Sequence, residues 1–162
     1  MTAARAFLGM SHSPLLGLNA IAPAVNDELQ SAIAAARSQV LAFDPELVVL
    51  IAPDHYNGFF NELMPPFCIG TQATSVGDYL TPAGALNVDG EAALALATHL
   101  MDADFDIAVS RRMQVDHGFA QSLQLLWGGL ATPAVVLRLR ARGLPSVERS
   151  LIALRRWKEA WK

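Results

Sequence analysis

An unbroken apolar run, ELVVLIAP at residues 46–53, constrains the fold of this chain more than any other feature. It has the length of a strand, and a strand without alternating polar residues is typically buried on both faces, as in a parallel sheet covered by helices. Upstream, Pro23 followed by Asn26 or Asp27 as N-cap predicts the start of a helix that ends before Pro45. Its apolar positions repeat at helical spacing: Leu29, Ile33, Ala36 and Val40.

The other segments extend this pattern to an α/β fold. RAFLGMSH reads as a first strand, so the chain is predicted to open with a right-handed strand–helix–strand unit. Residues 56–86 read as irregular. Beyond them the sequence predicts two helices, DGEAALALATHLMDA and GFAQSLQLLWGGL, and two strands, DIAVS and PAVVLRL. We therefore expect a mostly parallel sheet flanked by helices, with a ligand site at the carboxyl ends of the strands.

Length and composition indicate a single domain that does not span a membrane. The 162 residues fit one domain, and although 52% are hydrophobic, no window approaches the roughly 20 apolar residues of a membrane helix. The N-terminal segment lacks the apolar stretch of a signal peptide. The single cysteine, Cys68, reads as a small buried hydrophobe, and together these features predict a cytoplasmic protein without a membrane partner.

Charge divides the chain in two. Residues 1–137 carry 4 basic and 13 acidic side chains, whereas residues 138–162 carry 8 basic and 2 acidic ones. We predict a body at 1–137 and a basic tail at 138–162, whose interspersed Leu, Ile and Trp residues favour an amphipathic helix packed on the body. No nucleic-acid partner is expected, because the acidic body would repel phosphates.

Three of the four histidines fall at comparable places in the predicted fold. His12 follows the first strand, His55 follows the second, and His117 lies after DIAVS, just before a helix. A lone histidine is usually structural, but three at one sheet edge favour a metal or acid–base site. His99, in the middle of a predicted helix, reads as an ordinary helix position.

Three segments taken in order, SHSPLLG, ELVVLIAPDHYNGFFNELMPPFCIGTQATSVGDY and MQVDHGFAQSL, resemble the class III (LigB-type) extradiol ring-cleaving dioxygenases from about Phe7 to Val136. The resemblance implies cleavage by O2 of a catechol such as 3-(2,3-dihydroxyphenyl)propionate, at a mononuclear Fe(II) held by two histidines and a glutamate. It places His12 and His55 on the metal and His117 in proton transfer. Such a metal face leaves positions open for catechol and O2.

Neighbouring polar residues are candidates for supporting roles at this site. Asp54 and Asp116 each precede a site histidine and could orient an imidazole, or could be ordinary loop or capping acids. Tyr56 and Asn57 could line the substrate pocket.

The sequence also departs from the family. Members are about twice as long, and their second half carries the glutamate ligand and a second histidine in a segment like Gly-Ser-Gly-Gly-Leu-Ser-His, which is not found here. We therefore expect a truncated version of the family domain, with exposed apolar surface that favours a homo-oligomer. Four acids are candidate substitutes for the missing ligand: Asp54, Glu62, Asp78 and Asp116. Two functions stay open: a dioxygenase, or an inactive remnant that binds metal or catechol or acts as a non-catalytic subunit.

Overall fold

The computed structural model describes residues 5–55, 59, 62–63 and 65–140, and at residues 54 and 135–140 it describes the backbone. The elements in chain order are α1 Pro23–Phe43, β1 Val48–Asp54, β2 Phe67–Gly70, β3 Ala73–Val76, β4 Ala83–Ala85, α2 Gly90–Asp102, β5 Ile107–Ser110, β6 Met113–Val115, α3 His117–Trp127 and β7 Ala134–Arg140.

The described strands form two small sheets. The larger has the order β1-β7-β2-β5, in which β1 with β7 and β2 with β5 are parallel, while β2 with β7 is antiparallel. The smaller has the order β4-β3-β6, with β3 parallel to β6 and antiparallel to β4. Three of these five pairings are parallel, which confirms the predicted α/β fold with a mostly parallel sheet.

The apolar run at residues 46–53 is covered on both faces, as its composition predicts. Leu50 and Ala52 face the cluster formed with α3, which contains the fully buried Phe119 and Leu123. The alternate residues of β1 face a second cluster, in which α2 contributes Leu96 and other apolar side chains. The sheet is thus sandwiched between α2 and α3, because successive side chains of a strand point to opposite faces.

Helix α1 packs loosely against α3. Its four predicted apolar positions are all partly covered, as is Asn26, and none of its residues is fully buried. The predicted N-cap is wrong: the cap is Ala22, with Pro23 in the first turn, and Asn26 donates its backbone N–H to Ala22. Proline suits the first helical turn because its missing N–H would have no helical acceptor there. The helix ends at Asp44 in the left-handed conformation.

Two predictions from the first half of the chain are wrong. Residues 5–12 form no strand and Phe7 is 84% exposed, so the opening strand–helix–strand unit is not formed. An apolar segment becomes a strand only with a hydrogen-bonding partner, and β1 pairs with β7 instead.

Residues 56–86 are not irregular throughout, because they contain β2, β3 and β4. Their glycines and prolines are the turns between short strands. Gly77 has φ 75°, and a Cβ there would lie 2.6 Å from the Cβ of Ala83, so β3 and β4 can approach only with glycine at this position.

Burial confirms two smaller predictions, for Cys68 and for His99. Cys68 is 1% exposed, as expected for a small hydrophobe, and His99 lies on the exposed side of α2. No helix among the described residues is long and apolar enough to cross a membrane. Strand β7 runs across the proposed boundary at residues 137 and 138. The predicted tail helix lies outside the described residues from 141 onward, so that division of the chain stays a prediction.

Candidate functional site

The structure brings His12, His55 and His117 together. Their ring centroids are 5.1 Å (His12 to His55), 5.4 Å (His12 to His117) and 4.7 Å (His55 to His117) apart. Each ring offers one nitrogen, and these three nitrogens lie within 4.8 Å of one another. The Nε2 atoms of His12 and His55 are 3.3 Å apart.

The elements that precede two of these histidines differ from those predicted. His55 directly follows β1, as predicted, but His12 follows no strand and His117 follows β6 of the smaller sheet rather than DIAVS, which is β5. The cluster therefore lies where the end of β1 meets the start of α3 and the loop that carries His12.

Asp116 orients His55. Its Oδ2 is 2.9 Å from Nδ1 of His55 and also accepts the His55 backbone N–H at 3.3 Å. Its Oδ1 accepts the N–H of Gly118 at 2.9 Å, which caps α3. Because an ionised carboxylate only accepts, His55 carries its proton on Nδ1 and turns the lone pair of Nε2 toward His12. Asp116 thus caps a helix and orients an imidazole, the two roles that the sequence left as alternatives.

His117 is held by Asp78, a partnership that sequence reasoning missed. The two carboxylate oxygens of Asp78 accept the backbone N–H and Nδ1–H of His117, each at 2.7 Å, and His117 is only 4% exposed. The proton of His117 is therefore also fixed on Nδ1, which leaves the lone pair of the ring on Nε2. The two residues are 39 apart in sequence, and no local spacing signals the pair.

The loop after Asp78 is shaped around His117. The Tyr79 ring meets the His117 ring edge-on, with centroids 4.8 Å apart. Tyr79 and Leu80 both adopt positive φ, 45° and 63°, which is costly for residues with side chains. The hydroxyl and the N–H of Thr81 both donate to the carbonyl of Asp78, which closes the turn.

The loop that carries His12 is bonded to α3 through Gln121, which sequence reasoning also missed. The amide oxygen of Gln121 accepts the N–H of Ser13 at 2.8 Å, and its amide nitrogen donates to the carbonyl of Ser13 at 2.8 Å. Gln121 is 4% exposed.

The surroundings of His12 favour its neutral form. Partial burial is the main cause that lowers the pKa of His12 below its usual value, and the neighbouring His55 and His117 lower it further. Asp116 opposes this effect. A neutral imidazole keeps the lone pair that binds a metal ion, so this shift favours ligation.

Gly118 lets His55 and Asp116 pack closely against the start of α3. A Cβ there would lie 3.1 Å from Oδ1 of Asp116 and 3.3 Å from Cε1 of His55. The residue that follows His117 must therefore be small for His55 and Asp116 to keep this arrangement.

The donor set fits a divalent transition metal. Two nitrogens about 2.1 Å from one ion and about 100° apart are separated by about 3.2 Å, close to the separation of the His12 and His55 Nε2 atoms. Of the candidate third ligands, Asp78 and Asp116 bind imidazoles instead. The metal-binding group found among the described residues consists of histidines alone. Asp54 ends β1; Tyr56 and Asn57 lie outside the described residues.

A cavity of about 580 Å³ lies beside the site, between α1, α3 and the loop after His12. Tyr79 and Gln121, which contact the histidine site, also line it. Its other polar lining residues are Asn19, Asn26, Asp27, Gln30 and Gln124. With one carboxylate and no basic side chain, this wall does not complement an anion.

Comparison with known proteins gives consistent matches. The sequence matches the family described as "Catalytic LigB subunit of aromatic ring-opening dioxygenase" over residues 6–151. It is 66% identical over 150 residues to a 2,3-dihydroxyphenylpropionate/2,3-dihydroxicinnamic acid 1,2-dioxygenase of Comamonas testosteroni, covering 91% of this chain and 47% of the relative. Similarly named relatives from Xanthobacter autotrophicus and a Rhodococcus species are 54% and 51% identical, covering 78% and 86% of this chain and 41% and 45% of the relatives. The chain thus spans less than half the length of these relatives.

Proposed function

Because this chain belongs to the LigB family of aromatic ring-opening dioxygenases, we propose that it serves the extradiol cleavage of a catechol by O2 at a mononuclear Fe(II). The membership confirms the resemblance of the three sequence segments. The observation that carries the proposal is the convergence of His12, His55 and His117, which together can hold a metal ion.

We assign His12 and His55 as metal ligands. Their Nε2 atoms are 3.3 Å apart, and the bond from Nδ1 of His55 to Asp116 leaves Nε2 of His55 free to ligate. A carboxylate partner of this kind fixes the orientation of the imidazole ring and makes its other nitrogen a stronger metal ligand. Fe(II) bound there would supply adjacent open positions for the catechol and O2. Asp54 stays a candidate second acceptor by its place in the sequence.

We assign His117 to proton transfer. Its ring is stacked on His55 at 4.7 Å, buried, and fixed by Asp78 with the proton on Nδ1. Nε2 can therefore accept a proton from a catechol hydroxyl and return it later in the reaction. Histidine is the side chain that most often transfers protons in enzyme active sites. Asp78 keeps the lone pair on Nε2 by holding the proton on Nδ1.

The proposed substrate is 3-(2,3-dihydroxyphenyl)propionate or a close catechol. The support is the printed name of the relatives, which refers to 2,3-dihydroxyphenylpropionate and 2,3-dihydroxicinnamic acid. Tyr56 and Asn57, which closely follow His55 in sequence, are proposed to line the substrate pocket.

We also propose that the protein is a cytoplasmic homo-oligomer without a nucleic-acid partner. Large apolar side chains are exposed on α1 and on the segment before it, including Phe7, Leu18, Leu41 and Phe43. Exposed apolar surface of this kind favours self-association. The single cysteine is in keeping with a reducing compartment.

The test is O2 uptake after anaerobic loading with Fe(II), with 3-(2,3-dihydroxyphenyl)propionate as substrate and the yellow ring-opened product followed in parallel. We expect uptake that is lost in His12→Ala and His55→Ala because both remove a ligand. His117→Gln should keep the metal and lose turnover. His99→Ala, which changes an exposed histidine of α2, is the matched control.

A negative result has a specific meaning. Folded protein that binds Fe(II) without uptake would support the inactive, metal-binding alternative, which the names of the relatives do not favour. Uptake that persists in His12→Ala and His55→Ala would contradict the ligand assignment.

A further inference from the structure

The side-chain amide of Gln121 makes a two-bond clamp on the main chain of Ser13. Its oxygen accepts from the Ser13 nitrogen and its nitrogen donates to the Ser13 oxygen, both at 2.8 Å, across 108 residues of sequence. Gln121 is 4% exposed, so water competes little for either bond. In an antiparallel sheet, a residue of a neighbouring strand makes the same two bonds, one to the N–H and one to the carbonyl of its partner.

The clamp acts next to His12, in a segment that is not part of either described sheet. Within the described residues, 5–12 belong to no strand, so no ladder of backbone hydrogen bonds fixes them. The turn that follows is local, with Leu16 donating to Ser13 and Leu18 donating to Leu15. Ser13 is the residue next to His12, and its position and peptide orientation determine where the His12 ring can lie.

Gln121 also shares an element with the partners of the other two histidines. Asp116, which orients His55, caps α3, and His117 is its first residue. Gln121 lies one turn further along the same helix. A bond from Gln121 to Ser13 therefore fixes His12 in the frame that already holds His55 and His117.

We propose that Gln121 is a positioning residue that holds the His12 ring beside His55 and so sets the affinity of the site for its metal ion. The second half of this inference rests on the proposed function. The first half, the positioning of the His12 ring beside His55, concerns the protein without metal and does not depend on the proposed function.

Two variants remove the clamp in different ways. Gln121→Leu has a similar volume and removes both bonds. Gln121→Glu keeps an acceptor for the Ser13 N–H but places a carboxylate oxygen against the Ser13 carbonyl, which it cannot hydrogen-bond. Glu is nearly isosteric, so this variant tests the idea if the leucine variant does not fold.

Two control variants leave the clamp intact. Gln124→Leu changes the same residue type on the same helix at an exposed position that lines the same cavity. Ser13→Ala keeps both bonds because they use main-chain atoms of Ser13. It removes only the contact from the Leu15 N–H to the hydroxyl, at 3.3 Å.

The first measurement uses the full chain stripped of metal by a chelator, with the nuclear Overhauser effect between the ring protons of His12 and His55 as readout. Wild type and both controls should show it, since the ring centroids are 5.1 Å apart. We expect it to vanish in Gln121→Leu and Gln121→Glu while the α3 core signals persist. Its persistence in a folded Gln121 variant overturns the proposal.

The second measurement is the dissociation constant for Co(II) and Fe(II), obtained by competition with a chromogenic chelator. We expect both Gln121 variants to bind about 10- to 100-fold more weakly, as for partners that orient ligands in other metal sites, and the controls to match wild type. Equal affinities would refute the role in metal binding. A wild type that binds neither ion would instead refute the proposed function, while the ring contact still decides whether Gln121 positions His12.

Discussion

Replacing Asp116 with alanine removes the three hydrogen bonds that this buried carboxylate accepts from Gly118 and His55. Asp116 is 2% exposed and accepts from the Gly118 N–H, the His55 N–H and Nδ1 of His55. Loss of an N-cap costs about 1 kcal/mol. The two bonds to His55, one short and one long, are worth about 2 kcal/mol together. We therefore expect the free energy of unfolding of the metal-free protein to fall by about 3 kcal/mol.

Asp89→Ala is the matched control for this change. Asp89 caps α2 in a similar way, accepting from the Ala92 N–H at 2.9 Å, but it lies at an exposed position and bonds none of the histidines that the structure describes. It should cost only about 1 kcal/mol. At roughly 2–4 °C per kcal/mol for a chain of this size, Asp116→Ala should lower Tm by about 6–12 °C and Asp89→Ala by about 2–4 °C.

The assays are urea unfolding of metal-free protein and metal affinity by chelator competition. Asp116→Ala should also weaken metal binding about 10- to 100-fold, whereas Asp89→Ala should leave it unchanged. Equal losses of stability in the two variants would refute the reasoning, because the bonds to His55 would then contribute nothing beyond the cap.

Three further changes probe the rest of the site. Asp78→Asn should lower kcat and leave the metal dissociation constant near the wild-type value, because it disturbs the tautomer of His117; a parallel loss of metal would contradict this. Gly118→Ala should weaken metal binding, since its Cβ would lie 3.3 Å from the His55 ring, whereas Gly129→Ala, with no atom near its added Cβ, should not. Because the pKa of His12 is lower in the folded protein, the unfolded chain binds more protons near pH 6.5. The unfolding free energy of the metal-free protein should therefore fall as the pH decreases below 6.5. The His12→Gln variant should lose the part of this pH dependence that comes from His12, and a pH profile equal to that of wild type would contradict the lowered pKa.

The three helices and three of the seven described strands, β1, β5 and β7, could be predicted because their signals are local. The apolar run that became β1 and the Gly128 that ends α3 each act within a few residues. The first strand could not be assigned reliably, since strand formation depends on a partner, and β1 pairs with β7, more than 80 residues away. The strands within residues 56–86 are only three or four residues long. The glycines between them gave the segment the composition of a loop.

The histidines of the site could be predicted, but most of what holds them could not. His55 and His117 follow strands, where functional side chains often lie, and Asp116 stands next to one of them in sequence. Asp78 and Gln121 gave no such signal, because their partners are 39 and 108 residues away. Their roles depend on the packing of α3 against two loops, which sequence periodicity does not encode.

The first two turns of α3 help to fix all three histidines. Asp116 bonds the His55 ring, His117 belongs to the helix, and Gln121 bonds the main chain of Ser13, next to His12. Fraying of the first two turns of this helix would therefore release the whole site in a single local unfolding event. An ion held by His12 and His55 would oppose that event by its full binding free energy. Metal occupancy would then be readable as slowed hydrogen exchange at the first amides of α3, so that the helix start itself reports whether the site is filled.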